Sequence, residues 1–129
     1  MDIFEHQILF IPVHLGKHWC LAVIDLKKKI ISYYDSMGEI NKQCTDILSS
    51  YLKKEHIKKK GSMMNMTEWV TRTENCIPQQ SNEFDCGMFI CKYAEYISRK
   101  AKINFDQQDM PYYRRRMVYE IVKNRLMYP

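Results

Sequence analysis

Short blocks of apolar residues fill the first third of the chain, and a three- and four-residue rhythm replaces them further on. Ile8 to His14, Trp19 to Asp25 and Lys29 to Asp35 are rich in Ile, Val, Leu and Tyr, the composition of strands. Leu15-Gly16-Lys17 and Leu26-Lys27-Lys28 separate them, and connections so short predict antiparallel neighbours. From Glu39 to about Lys60, the residues Ile40, Cys44, Ile47, Leu48, Tyr51 and Leu52 recur at helical steps with lysines opposite, and Gly61-Ser62 ends the segment. Trp69 to Thr73 reads as a further short strand, followed by a loop from Asn75 to Asp85. A second helix is predicted from Asp85 or Cys86, because Asp is a good N-cap and Phe89, Ile90, Tyr93, Ala94 and Ile97 form a stripe behind it. The last helix follows Asp109, with Pro111 in its first turn and Tyr113, Met117, Val118, Ile121, Val122 and Leu126 on its expected buried side. These elements predict an α+β domain with a small antiparallel sheet flanked by helices.

Composition agrees with one folded unit. The chain has 129 residues, 46% of them hydrophobic, with only four Gly and four Pro, enough to build a single core. The net charge of +5 favours acidic partners only weakly. The lysines at Lys27 to Lys29 and Lys53 to Lys60 and the arginines at Arg114 to Arg116 lie in or beside patterned segments, so they read as solvated faces and no nucleic-acid partner is expected. The five cysteines are spaced by 24, 32, 10 and 5 residues with no CxxC pair, which argues against a disulfide framework, a metal site or a cofactor. No charged start runs into an apolar segment, and no apolar run approaches the roughly 20 residues of a membrane span. A reducing cytosol or nucleus is therefore expected, where a reactive thiol stays free.

Three segments carry candidate chemistry: Gly16-Lys17-His18-Trp19, Tyr33-Tyr34-Asp35-Ser36-Met37-Gly38, and Pro78 to Gly87. His18 precedes the second strand and Asp35 closes the third, so antiparallel pairing would bring imidazole and carboxylate to one sheet end. Cys86 at a helix start would have its thiolate favoured by the helix dipole and free N–H groups. In that arrangement Cys86 attacks a carbonyl, His18 carries the proton, and Asp35 holds the imidazole. Gln80 can donate to the developing oxyanion, with the Cys86 backbone N–H as second donor. Each residue also has a plain reading: a core cysteine, as for Cys20, Cys44 and Cys91, a satisfied histidine, as for His6, His14 and His56, or a turn-forming aspartate. Taken alone, the residues leave both readings open.

Taken in order, the segments resemble the SUMO-specific (sentrin) cysteine proteases. The resemblance runs from Ile11-Pro12-Val13-His14-Leu15-Gly16 into His18-Trp19-Cys20-Leu21-Ala22-Val23 and on to Tyr33-Tyr34-Asp35-Ser36-Met37-Gly38. It continues through Ile77-Pro78-Gln79-Gln80, Asp85-Cys86-Gly87-Met88-Phe89, Cys91-Lys92-Tyr93-Ala94 and Met110-Pro111-Tyr112, a set far more specific than one short pattern. It implies a triad of His18, Asp35 and Cys86, with Gln80 as the oxyanion residue and Trp19 as one wall of a narrow tunnel for the Gly-Gly tail of SUMO. Met37 and Gln79 would lie near the same tail. The implied activity is processing and deconjugation of SUMO, with SUMO and SUMO-conjugated proteins as partners, a monomeric state and a nuclear address. The alternatives are a protease for another ubiquitin-like modifier and an inactive product that binds SUMO. The resemblance places residues 1–129 in the C-terminal catalytic part of the family's domain, with Met1 falling well inside it. Glu83 and Phe84 stand where the family usually has Gly followed by Ser or an aromatic, which predicts strain if position 83 needs positive φ.

Overall fold

A computed structural model describes residues 1–127. Strands β1 (Ile8–His14), β2 (Trp19–Asp25) and β3 (Ile30–Tyr34) form the expected antiparallel meander, with His14 opposite Trp19 and Leu21 opposite Tyr34. The fourth strand departs from the all-antiparallel expectation. β4 (Val70–Glu74) pairs with β3 in parallel, Ile30 opposite Val70, so the sheet is mixed with order β1-β2-β3-β4. Helix α1 (Lys42–Lys60) lies in the connection between β3 and β4. A crossover of this length returns the chain to the end from which β3 started, which a tight hairpin cannot do. Asn41 caps α1 by accepting the Cys44 N–H at 3.0 Å, so the helix begins three residues after the expected Glu39. Gly61 closes it in the left-handed conformation, φ 72°, where a side chain would be strained.

β2 is the buried centre. Leu21 and Val23 pack with Met88, Phe89, Ile90, Tyr93 and Tyr96 of α2 (Cys86–Ser98), while Ile24 packs with Ile31 of β3 and Leu52 of α1 in a second cluster that also holds Ile3. Covered on both faces, β2 therefore reads as a continuous apolar run rather than an alternating one.

Phe105, in the connection before α3 (Met110–Lys123), joins the two C-terminal helices. Its ring lies 5.6 Å from Phe89, 5.7 Å from Tyr93, 5.3 Å from Tyr96 and 5.9 Å from Tyr113. No helical periodicity marks it, since it stands outside either helix. Phe105→Ala is expected to destabilise the fold by about 3–5 kcal/mol. A lower denaturant midpoint at unchanged slope would verify this, and an unchanged midpoint would refute it.

The expected buried side of α3 holds at two of its six positions, Tyr113 and Met117. Met110 and Tyr113 are buried and Met117 partly so, but Val118, Ile121, Val122 and Leu126 are 63%, 71%, 74% and 51% exposed. Only the first turns of α3 reach the aromatic cluster. Likewise the stripe on α1 buries Leu52 completely and leaves Ile40, Ile47 and Tyr51 exposed. Helical periodicity finds an apolar face without revealing whether another element covers it.

Candidate active site

The β2–β3 register brings the residue before β2 and the residue after β3 to one end of the sheet. His18 Nε2 donates to Asp35 Oδ1 at 2.6 Å, as the pairing predicted. Asp35 is 3% exposed, and its Oδ1 also accepts the Met37 N–H at 2.8 Å. An ionised carboxylate only accepts hydrogen bonds, so Nε2 carries the proton in this pair and Nδ1 is the ring nitrogen that Asp35 leaves free.

The turn after Asp35 is locked to the loop before α2. Gly38 has φ +82°, a conformation that favours glycine, and it packs against the side-chain amide of Gln79, whose nitrogen would stand 3.0 Å from a Cβ at Gly38. Gln80 donates its backbone N–H to the Ser36 carbonyl at 2.9 Å, and the Ser36 hydroxyl donates to Gln80 Oε1. Gln80 Nε2 donates one N–H to the Asn82 carbonyl at 2.6 Å. An amide nitrogen has two hydrogens, so a second remains. Tyr93 on α2 donates its hydroxyl to the Pro78 carbonyl, which fixes the other side of the loop.

Cys86 is the first residue of α2 and is buried. Its Sγ accepts the backbone N–H of Trp19 at 3.4 Å, which sets the sulfur against the residue that follows His18. The Trp19 ring is 38% exposed and stacks on His14 at a centroid distance of 4.5 Å. Met37 and Gln79 are exposed on the same pair of loops. The fold thus pairs His18 with Asp35, sets Cys86 against the backbone of Trp19, the residue after His18, and ties the Gln80 loop to Ser36, the residue after Asp35.

Cys20 is the neighbouring thiol, and its chemistry differs. Burial pushes it up to about 12, against a smaller opposing effect of a hydrogen bond with Tyr33, so it stays protonated near neutral pH. Burial also raises the Cys44 thiol. Among the described residues, His18, Cys20 and Asp35 form the one group whose ligand atoms lie within 4.8 Å of one another. Two of its members are already bonded to each other, which fits a proton-transfer pair better than a metal cage.

The sequence pattern did not identify three contributions. The Trp19 backbone N–H is invisible because it belongs to the main chain. Ser36 anchors Gln80, and only its place beside Asp35 hinted at a role. The surroundings of Asp85 were also missed: Arg114 Nε and Nη2 meet its Oδ1 at 2.8 and 2.7 Å, so one member of the Arg114 to Arg116 run holds the loop beside Cys86. The strain expected at Glu83 is absent, since the non-glycine residues with positive φ among those described are Lys29, Lys100 and Asn124.

Residues 1–126 match the model of the Ulp1 protease family, C-terminal catalytic domain. A sentrin-specific protease of Caenorhabditis elegans is 46% identical over 127 residues, covering 98% of this chain and 18% of that protein. Human sentrin-specific protease 2 is 45% identical over 129 residues, covering 98% of this chain and 22% of that protein. The solved structure of the SUMO protease Ulp1 with its catalytic cysteine oxidised to a sulfonic acid superposes with TM-score 0.79 at 31% identity, over 96% of this chain and 56% of that one. Ulp1 in complex with Smt3, the yeast orthologue of SUMO, gives TM-score 0.78 at 28% identity, again over 56% of the solved chain. The chain therefore spans about a fifth of the length of the curated relatives it matches. With the mixed sheet, the helix that starts at Cys86 and the ordered motifs all in agreement, this chain belongs to the Ulp1 protease family of cysteine proteases.

Proposed function

We propose that residues 1–129 are the C-terminal catalytic part of a thiol protease that hydrolyses the peptide or isopeptide bond after the Gly-Gly tail of SUMO. The observation that carries this reading is the 2.6 Å His18–Asp35 bond beside a cysteine at a helix start. In the proposed reaction His18 Nδ1 accepts the Cys86 thiol proton as Sγ attacks the glycine carbonyl carbon. The oxyanion accepts from the free N–H of Gln80 and the backbone N–H of Cys86. His18 then gives its proton to the leaving amine, which departs and leaves a thioester on Cys86. Water attacks the thioester, its proton passes to His18, and the released sulfur regains a proton from the imidazolium. Asp35 keeps the ring in the required tautomer throughout.

Trp19, Met37 and Gln79 are assigned to the tail. An aromatic wall excludes side chains larger than hydrogen, which selects for Gly-Gly. SUMO is chosen over other modifiers because relatives bear the sentrin-specific name and the Ulp1 neighbour was solved with Smt3. SUMO-conjugated proteins as substrates, a monomeric enzyme and a nuclear location belong to the same proposal.

The test is labelling with SUMO that carries a C-terminal vinyl sulfone, alongside a ubiquitin probe bearing the same group. The expected result is one covalent SUMO adduct, mapped to Cys86 by mass spectrometry, and no ubiquitin adduct. An adduct with ubiquitin alone would point to another modifier, and SUMO binding without an adduct would leave a binding product only.

A further inference from the structure

Asp85 occupies the N-cap of α2, where an aspartate ordinarily accepts N–H bonds from the second or third helical residue. Here it makes no capping bond to the helix. Its Oδ1 accepts from Arg114 Nε at 2.8 Å and Nη2 at 2.7 Å, and its Oδ2 accepts from Asn82 Nδ2 at 2.7 Å and Gln107 Nε2 at 2.9 Å. A carboxylate has about four acceptor positions, and these partners fill them. Arg114 Nη2 also donates to the Phe84 carbonyl at 3.1 Å, and Gln107 Oε1 accepts the Ser81 N–H at 2.9 Å. Burial of Asp85 opposes its charge, yet the bonds from Asn82, Gln107 and Arg114 hold it below the usual carboxylate range.

We propose that Arg114 is a positioning residue for Cys86: with Gln107 and Asn82 it turns the Asp85 carboxylate away from the start of α2, leaving the first N–H groups of the helix to the sulfur and the forming oxyanion. A carboxylate released from this clamp would rotate onto the N–H of Gly87 or Met88. It would occupy those donors and set a negative charge beside Sγ, and both effects oppose a thiolate. The substitutions below leave the His18–Asp35 pair at the sheet end and Cys20 on β2 in place. Arg114 is half-exposed but Asp85 is 3% exposed, so losing the arginine both leaves a buried carboxylate short of a partner, which costs stability, and frees that carboxylate to turn toward the helix. This inference rests on the thiol-nucleophile part of the proposed function and does not depend on which modifier is cleaved.

The experiment measures the rate of Cys86 alkylation by iodoacetamide against pH in the full 129-residue chain, read from the Cys86 peptide by mass spectrometry. R114Q is expected to slow the reaction at pH 7 about tenfold and to move its half-maximal point up by about one pH unit. Adding D85N to R114Q removes the released carboxylate and should return the rate to within about threefold of the parent, a non-additive recovery that a general loss of structure would not give. An R114Q profile that overlays the parent would overturn the proposal, and so would an R114Q defect that D85N leaves unchanged. A chain that alkylates as expected but forms no adduct with the SUMO probe would defeat the modifier assignment and support this inference.

Discussion

Cys86→Ala is expected to abolish hydrolysis of a SUMO precursor while leaving SUMO affinity within about threefold of the parent. Removing a nucleophile eliminates the covalent route entirely, and in well-studied triads the loss is about 10⁶-fold in kcat. Affinity should survive because the sulfur is buried and meets the substrate only at the scissile carbonyl. His18→Ala should match it closely, since the two residues act as one unit and their losses are not additive. Single-turnover cleavage assays and a direct binding measurement give the two quantities separately. A Cys86→Ala protein that loses SUMO binding together with cleavage would make Cys86 a structural residue.

The placement of His18, Asp35 and Cys86 was legible in the sequence because each sits at the end of an element, and the ends of antiparallel strands meet predictably. His18 and Asp35 could be paired from the lengths of two connections, and Cys86 could be placed from the stripe that follows it. The parallel pairing of β4 was not legible, because Val70–Glu74 shows the same local pattern in either direction. Only the long passage through α1 decides it. The exposed Val118, Ile121 and Val122 were misread because periodicity reports an apolar face and not its partner. Asp85 was correctly placed as the first residue before α2, but its side chain faces three donors from outside the helix. Two of them, Gln107 and Arg114, lie 22 and 29 residues away in sequence, and no local pattern connects them.

Asp35→Asn is expected to lower kcat by about 10³–10⁴, the scale seen when the corresponding aspartate of a serine protease is replaced, while KM changes only a few-fold. The argument begins with proton placement. Asp35 Oδ1 accepts from both His18 Nε2 and the Met37 N–H, so the turn demands an acceptor at that atom. An asparagine can satisfy Met37 and His18 with its carbonyl oxygen, and the fold then persists, but the negative charge that stabilises the imidazolium is gone. If the amide flips instead, its NH₂ group faces Nε2, the ring proton moves to Nδ1, and the nitrogen needed as base is occupied. The first outcome weakens the base and the second occupies it, and both slow proton transfer from Cys86. Asp35→Ala would be a poorer probe, because it leaves the Met37 N–H and the His18 ring without a partner at a buried site, a loss of about 1–3 kcal/mol that mixes stability with chemistry. Steady-state kinetics on a SUMO precursor, with thermal unfolding to verify the fold, separates the two. An Asp35→Asn protein that folds normally and keeps kcat within tenfold of the parent would show that His18 needs no orienting carboxylate, and the triad reading would reduce to a Cys86–His18 dyad.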